Sequence, residues 1–157
     1  MLSKQELEEI EHELSHYEQA SAATIEALKI VQRHRGWVSD EAVKDIAAKL
    51  GTSAADVDSV ATFYNLIFRK PVGKHVIFAC DSVSCHIMGA DALRQKLEHK
   101  LGIKPGQTTA DGRFTLLPIV CLGTCDRAPA MLVDQDIHRD LEDISDESLG
   151  ELLGGYE

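Results

Sequence analysis

The sequence predicts a two-part α+β chain, with a helical bundle over residues 1–70 followed by an α/β domain over residues 71–157. Three observations predict it. Apolar residues recur at steps of three and four through roughly the first 68 positions. The stretch "FRKPVGK" then interrupts that pattern, because Pro71 disfavours helix at Lys70 and Gly73 loosens the chain. Beyond it come short β-prone runs, "KHVIFAC", "FTLLPIV" and "AMLVD", with an amphipathic helix between the first two.

The helices of the first part announce their own starts and stops. Ser3 and Glu6 have capping-box spacing ahead of "ELEEIEHELSHY". Ser21 precedes "AATIEALKIVQRH", where Ile25, Leu28 and Val31 keep a helical spacing until Gly36 and Trp37 break it. Ser39 is placed to cap "DEAVKDIAAKL", whose Val43, Ile46, Ala47 and Leu50 share one face, with Gly51 at the far end. Ser53 and Asp56 open a last helix through Val57, Val60 and Ala61. Trp37, Phe63, Tyr64 and Phe68 read as core and interface residues of this bundle.

In the second part the order is strand, helix, strand, strand, helix. Leu93, Leu97 and Leu101 stripe the first helix, and "DESLGELLGGY" closes the chain. Pro118 suits an edge strand or a bulge. Pro129 reads as a break before "AMLV", with a trans peptide bond expected. A turn at Asp134–Asp136 follows the third strand.

The composition excludes several function classes. The longest apolar run, Leu116–Leu122, is too short to cross a bilayer, so no direct membrane insertion is expected. The acidic start "MLSKQELEEIEHEL" resembles neither a secretory signal nor a transit peptide, which points to a reducing bacterial cytoplasm. Of the net charge of −10, the two ends (1–20 and 134–157) carry −13 and the middle carries +3. With no basic stripe, no nucleic-acid partner is expected. The acidic ends read as solvated faces, or as edges that help select a partner.

The chemistry rests on four cysteines. Cys80 and Cys85 form C-x4-C at the end of one predicted strand, and Cys121 and Cys125 form C-x3-C at the end of the next. If those strands are parallel neighbours, both loops emerge at the same end of the sheet and the thiols converge. Four thiolates suit a [2Fe–2S] cluster or zinc. The spacing favours the cluster, since structural zinc usually draws each pair from a tight C-x2-C turn and none is present. A dithiol redox site of the C-x-x-C kind is absent, although disulfides or free thiols stay open on spacing alone. Gly123, between the second pair, would let backbone N–H groups approach the sulfurs.

The stretches "CDSVSCHIMGA" and "GIKPGQTTADGRFTLLPIVCLGTCDRAPAMLV", with "IEALKIVQRHRGWV" and "VATFYNLIFRKPVG", resemble the E-subunit family of NADH–quinone oxidoreductase, respiratory complex I. The resemblance covers nearly the whole chain. It implies a thioredoxin-like α/β domain behind the helical one, with one [2Fe–2S] cluster on Cys80, Cys85, Cys121 and Cys125. It implies an electron carrier that does not itself oxidise NADH and docks on a flavoprotein subunit, where FMN and NADH bind, among other peripheral-arm iron–sulfur subunits. The family's location is peripheral, on the cytoplasmic side of the inner membrane. Equivalent subunits serve NAD-linked hydrogenases and formate dehydrogenases. The rival from another class is a zinc-stapled docking module. No glycine-rich nucleotide fingerprint occurs in the chain, in keeping with nucleotide binding on a partner.

Three motifs are set aside. His12-Glu13-Leu14-Ser15-His16 matches the H-E-x-x-H pattern of zinc proteases, but no third ligand follows and no groove-lining helix accompanies it. His86 follows Cys85, yet a Rieske site needs two histidines and no second Cys-His pair exists. Arg127 reads either as a counter-charge for a cluster or partner, or as a surface arginine. Asp81 and Asp126 would lower a cluster's potential if they faced it.

Overall fold

The computed structural model describes residues 1–156 and divides into two compact units, Met1–Pro71 and Val72–Glu157. The first unit holds four helices: α1 (Lys4–Leu14), α2 (Thr24–Arg35), α3 (Asp40–Leu50) and α4 (Ala54–Phe63). Side-chain caps start three of them. Ser3 and Glu6 make the reciprocal capping box of α1, and Ser39 and Ser53 accept from Ala42 N and Asp56 N. Gly36 and Gly51 take the left-handed conformation that ends α2 and α3. The second helix starts later than Ser21. A 3-10 turn over Ala20–Ala23 comes first, and the Thr24 hydroxyl donates to the Ser21 carbonyl at 2.6 Å. Ile10, Leu28, Val31, Val38, Ile46 and Val57 fill the core of this unit. Phe63 and Tyr64 do not join it. They stay exposed, 78% and 48%, where α4 ends, while Trp37 and Phe68 are half-buried.

The second unit is built on a four-stranded sheet in the order β2-β1-β3-β4: β1 (His75–Cys80), β2 (Phe114–Ile119), β3 (Met131–Val133) and β4 (Asp136–His138). β1 and β2 run parallel, with His75 opposite Phe114 and Cys80 opposite Ile119. β3 is antiparallel to β1, and β4 to β3. The sequence pattern gives three strands, and β4 is a fourth. It forms a hairpin with β3 around Asp134, whose φ is +52° and whose carboxylate accepts from Val76 N at 2.9 Å and meets His75 Nδ1 at 2.6 Å. Three residues are too few to show alternation, so the pattern ends at the turn.

Three further helices complete the unit: α5 (Val83–Ile87), α6 (Ala90–Leu101) and α7 (Asp146–Gly154). Leu93 and Leu97 of α6 and Leu149 and Leu153 of α7 share one core with Ile77, Phe114, Leu116, Met131 and Val133 of the sheet. The outer border of β2 is covered. Gly106 N donates to Leu116 O, Leu116 N to Gln107 O and Thr109 N to Phe114 O, and past them Pro118 stands in the strand without an N–H. Gly73 lies so close to the 112–113 backbone that a Cβ there would stand 2.8 Å from the Gly112 carbonyl oxygen. The Ala128–Pro129 peptide bond is cis.

Candidate metal centre

Parallel pairing of β1 and β2 carries both cysteine loops to one end of the sheet. Cys80 is the last residue of β1, a strand with neighbours on both sides, and its thiol is buried. Its N–H donates to Ala130 O at 3.2 Å, and its Sγ approaches Val120 O at 3.8 Å. Five residues on, Cys85 sits in α5, also buried. Cys80 and Cys85 share a small apolar cluster with Ala90 and Ala128, flanked by Ile119 and Leu122.

Cys121 and Cys125 follow β2, which is an outer strand, and both are exposed. Their Sγ atoms stand 3.6 Å apart. Gly123, at φ +73°, turns its N–H onto the Cys121 sulfur at 3.3 Å. Cys125 opens a 3-10 turn over Cys125–Arg127 and is hydrogen-bonded to the Ser84 side chain of the opposite loop.

The four thiols therefore make two pairs. Burial, followed by the hydrogen bond to Cys80, pushes the Cys85 thiol up to about 11. The hydrogen bond to Cys121, and then the charge of that sulfur, raises Cys125. Both shifts favour the protonated thiol at Cys85 and Cys125, and a thiol must give up its proton to ligate a metal, so metal loading and proton release are coupled. A single zinc with bonds of about 2.3 Å would need all four sulfurs roughly 3.8 Å from one another. Among the described residues, no three cysteine sulfurs come within 4.8 Å of one another. Two gripping pairs set further apart match a centre with two metal ions.

The neighbouring polar residues are engaged elsewhere. Arg127 pairs with Asp140, its Nε 2.8 Å from Oδ2, so it closes a surface ion pair. His86 is 65% exposed and pairs with Asp91 at 3.3 Å. Ser84 is a contact that sequence reading missed, and its place immediately before Cys85 is the only signal for it. The motif His12, Glu13, His16 lies in the first unit, and the four cysteines lie in the second.

Known proteins resemble this chain in sequence and fold. A sequence model of the thioredoxin-like [2Fe-2S] ferredoxin family matches residues 10–157. The NADH-quinone oxidoreductase E subunit of Escherichia coli (strain K12) is 59% identical over 155 residues, covering 99% of this chain and 92% of that protein. Its counterpart in Pseudomonas aeruginosa is 53% identical over 156 residues, with the same coverage. Among solved structures, an NAD+-reducing [NiFe]-hydrogenase in the air-oxidised state superimposes with a TM-score of 0.68 at 26% identity. That match covers 85% of this chain, which spans only 23% of the hydrogenase chain.

Proposed function

Because the chain belongs to the thioredoxin-like [2Fe-2S] ferredoxin family, we propose that it is the electron-transfer E subunit of an NADH–quinone oxidoreductase, holding one [2Fe–2S] cluster on Cys80, Cys85, Cys121 and Cys125. The observation that supports this reading is that two parallel strands bring both cysteine pairs to one end of the sheet, with Cys125 bonded to Ser84 beside Cys85. The likeness to the Escherichia coli protein along 99% of the chain supports the assignment to that complex.

The chain's own groups have separate tasks in this reading. Cys80 and Cys85 grip from the buried side, where Ala90, Ala128, Ile119 and Leu122 exclude water. Cys121 and Cys125 close the solvent side, and the Gly123 N–H stabilises charge on the Cys121 sulfur. A cluster held by four thiolates supplies one-electron capacity with no open coordination position. Nothing in such a site binds a substrate, so the isolated chain oxidises no NADH. FMN and NADH bind on a partner flavoprotein subunit, and further peripheral-arm iron–sulfur subunits carry electrons onward. No helix of the described residues is long and apolar enough to cross a membrane, which fits attachment through the complex on the cytoplasmic side of the inner membrane.

Iron and acid-labile sulfide analysis with low-temperature electron resonance tests the centre. Two irons, two sulfides and a rhombic signal after dithionite are expected. One zinc and no signal would replace the carrier by a zinc-stapled docking module. The likeness to an NAD+-reducing hydrogenase favours a second reading, an equivalent subunit of an NAD-linked hydrogenase. Assaying the native complex that contains this chain separates the two: NADH-dependent quinone reduction supports the first, and hydrogen-dependent NAD+ reduction the second.

A further inference from the structure

The end of α1 gathers metal donors that the cysteine centre does not use. His12 lies in the last turn of the helix, and Ser15 follows as its cap, with its hydroxyl donating to the His12 carbonyl at 2.6 Å. The chain then winds on, with His16 N donating to Glu13 O at 2.9 Å. That extra turn carries the His16 ring over the His12 ring, with centroids 4.9 Å apart and planes at 75°. Glu13 Oε2 stands 3.8 Å from His16 Nδ1. One donor atom from each of the three residues lies within 4.8 Å of the other two.

Charge around the cluster favours a cation. The recess beside it, about 200 Å³, is lined in part by Lys29 and Arg33, and each is already matched: Lys29 to Glu26 at 3.0 Å, Arg33 to Glu9. The other carboxylate oxygen of Glu9 faces His34 at 2.8 Å. Residues 1–20 add six acids against one lysine.

We propose that His12, Glu13 and His16 form a reversible surface site for a divalent transition-metal ion of the zinc and nickel class. Two imidazoles and a carboxylate are borderline donors of the kind such ions take, whereas calcium and magnesium prefer all-oxygen shells. Drawing the donors from within 4.8 Å to the roughly 3.4 Å that a four-coordinate ion demands needs rotation of the two exposed histidines and the half-buried Glu13 side chain. Three protein ligands leave one position to water. The site is not hydrolytic, because Glu13 belongs to the donor set and leaves no neighbouring base. Its effect is to tie Ser15 and His16 to the last turn of α1.

The test is a Ni2+ titration of the full chain followed by NMR broadening of individual histidine ring protons, which separates this site from any ion on the cysteines. Saturable broadening of His12 and His16 at a 1:1 ratio is expected well below millimolar Ni2+. His12→Ala and His16→Ala each weaken binding at least tenfold, Glu13→Gln weakens it a few-fold, and His99→Ala leaves it unchanged. No saturation below millimolar Ni2+ would overturn the site, as would equal loss in His99→Ala or wild-type affinity in the His12→Ala and His16→Ala chains.

Discussion

Glu6 and Arg35 lock α1 to α2 through a two-pronged contact, with the guanidinium Nε and Nη2 each 2.6 Å from a different oxygen of a carboxylate that is only 1% exposed. The same carboxylate closes the capping box, accepting from Ser3 N at 2.6 Å. The hydrogen bond from Arg35 is the main reason its acidity lies well below the ordinary range, at about 2.

Glu6→Gln therefore removes charge from a buried partner and weakens a cap together. A loss of about 2–4 kcal/mol from the helical unit is expected in urea unfolding. The pH dependence has a definite sign. A carboxylate whose folded pKa is lowered from 4.5 to about 2 contributes stability that is fully present above 4.5 and is lost as pH falls toward 2. Wild-type stability should decline over that window, and the Glu6→Gln chain should lose less there. Parallel curves for the two would contradict the coupling.

Cys121→Ser and Cys125→Ser should each lose or strongly weaken the [2Fe–2S] spectrum, because one sulfur of the exposed pair is then gone. Visible absorbance and iron content check this directly. A normal cluster in both single variants would remove these residues from the ligand set.

In metal-free chain the two pairs should differ in reactivity. Cys121 and Cys125 are exposed, whereas Cys80 and Cys85 are buried and burial holds Cys85 near 11. Iodoacetamide labelling at pH 8, read by mass spectrometry, should mark Cys121 and Cys125 at least about tenfold faster. Uniform labelling would mean that the buried pair opens readily.

Gly73→Ala should destabilise the second unit by about 1–3 kcal/mol. The new Cβ would meet backbone on every near side, 2.8 Å from Gly112 O and 3.1 Å from the Arg113 carbonyl carbon. Relief would require moving Gly73, whose N–H donates to Thr115 Oγ1 at 2.6 Å. A lowered unfolding midpoint with an unchanged cluster spectrum is the expected outcome.

The parts of this structure that local chemistry dictates were legible from the residues. Ser3, Ser39 and Ser53 cap where their spacing says they should, and Gly36 and Gly51 stop helices in the left-handed conformation that most side chains disfavour. Parallel pairing of β1 and β2, needed for the cysteines to meet, follows from the helix between them. The asymmetry between the cysteine pairs was not legible. It arises because Cys80 ends an interior strand and Cys121 follows an outer one, a difference of sheet order that periodicity does not encode. α5 and β4 were missed because five and three residues span barely more than one repeat, too few for a periodic pattern to show. Phe63 and Tyr64 were assigned by residue type, and the end of α4 leaves them in solvent.

The cover over the outer side of β2 bears on how many copies can meet. Sheets grow when a bare row of amides recruits a strand from another molecule, which is how soluble chains slide into fibres. Here residues 106–109 occupy that row, proline interrupts it further on, and the opposite border is a three-residue β4 that begins with an aspartate. With one border covered and the other only three residues long, the sheet offers little bare ladder to a second copy, so association through side chains is favoured over a shared ladder.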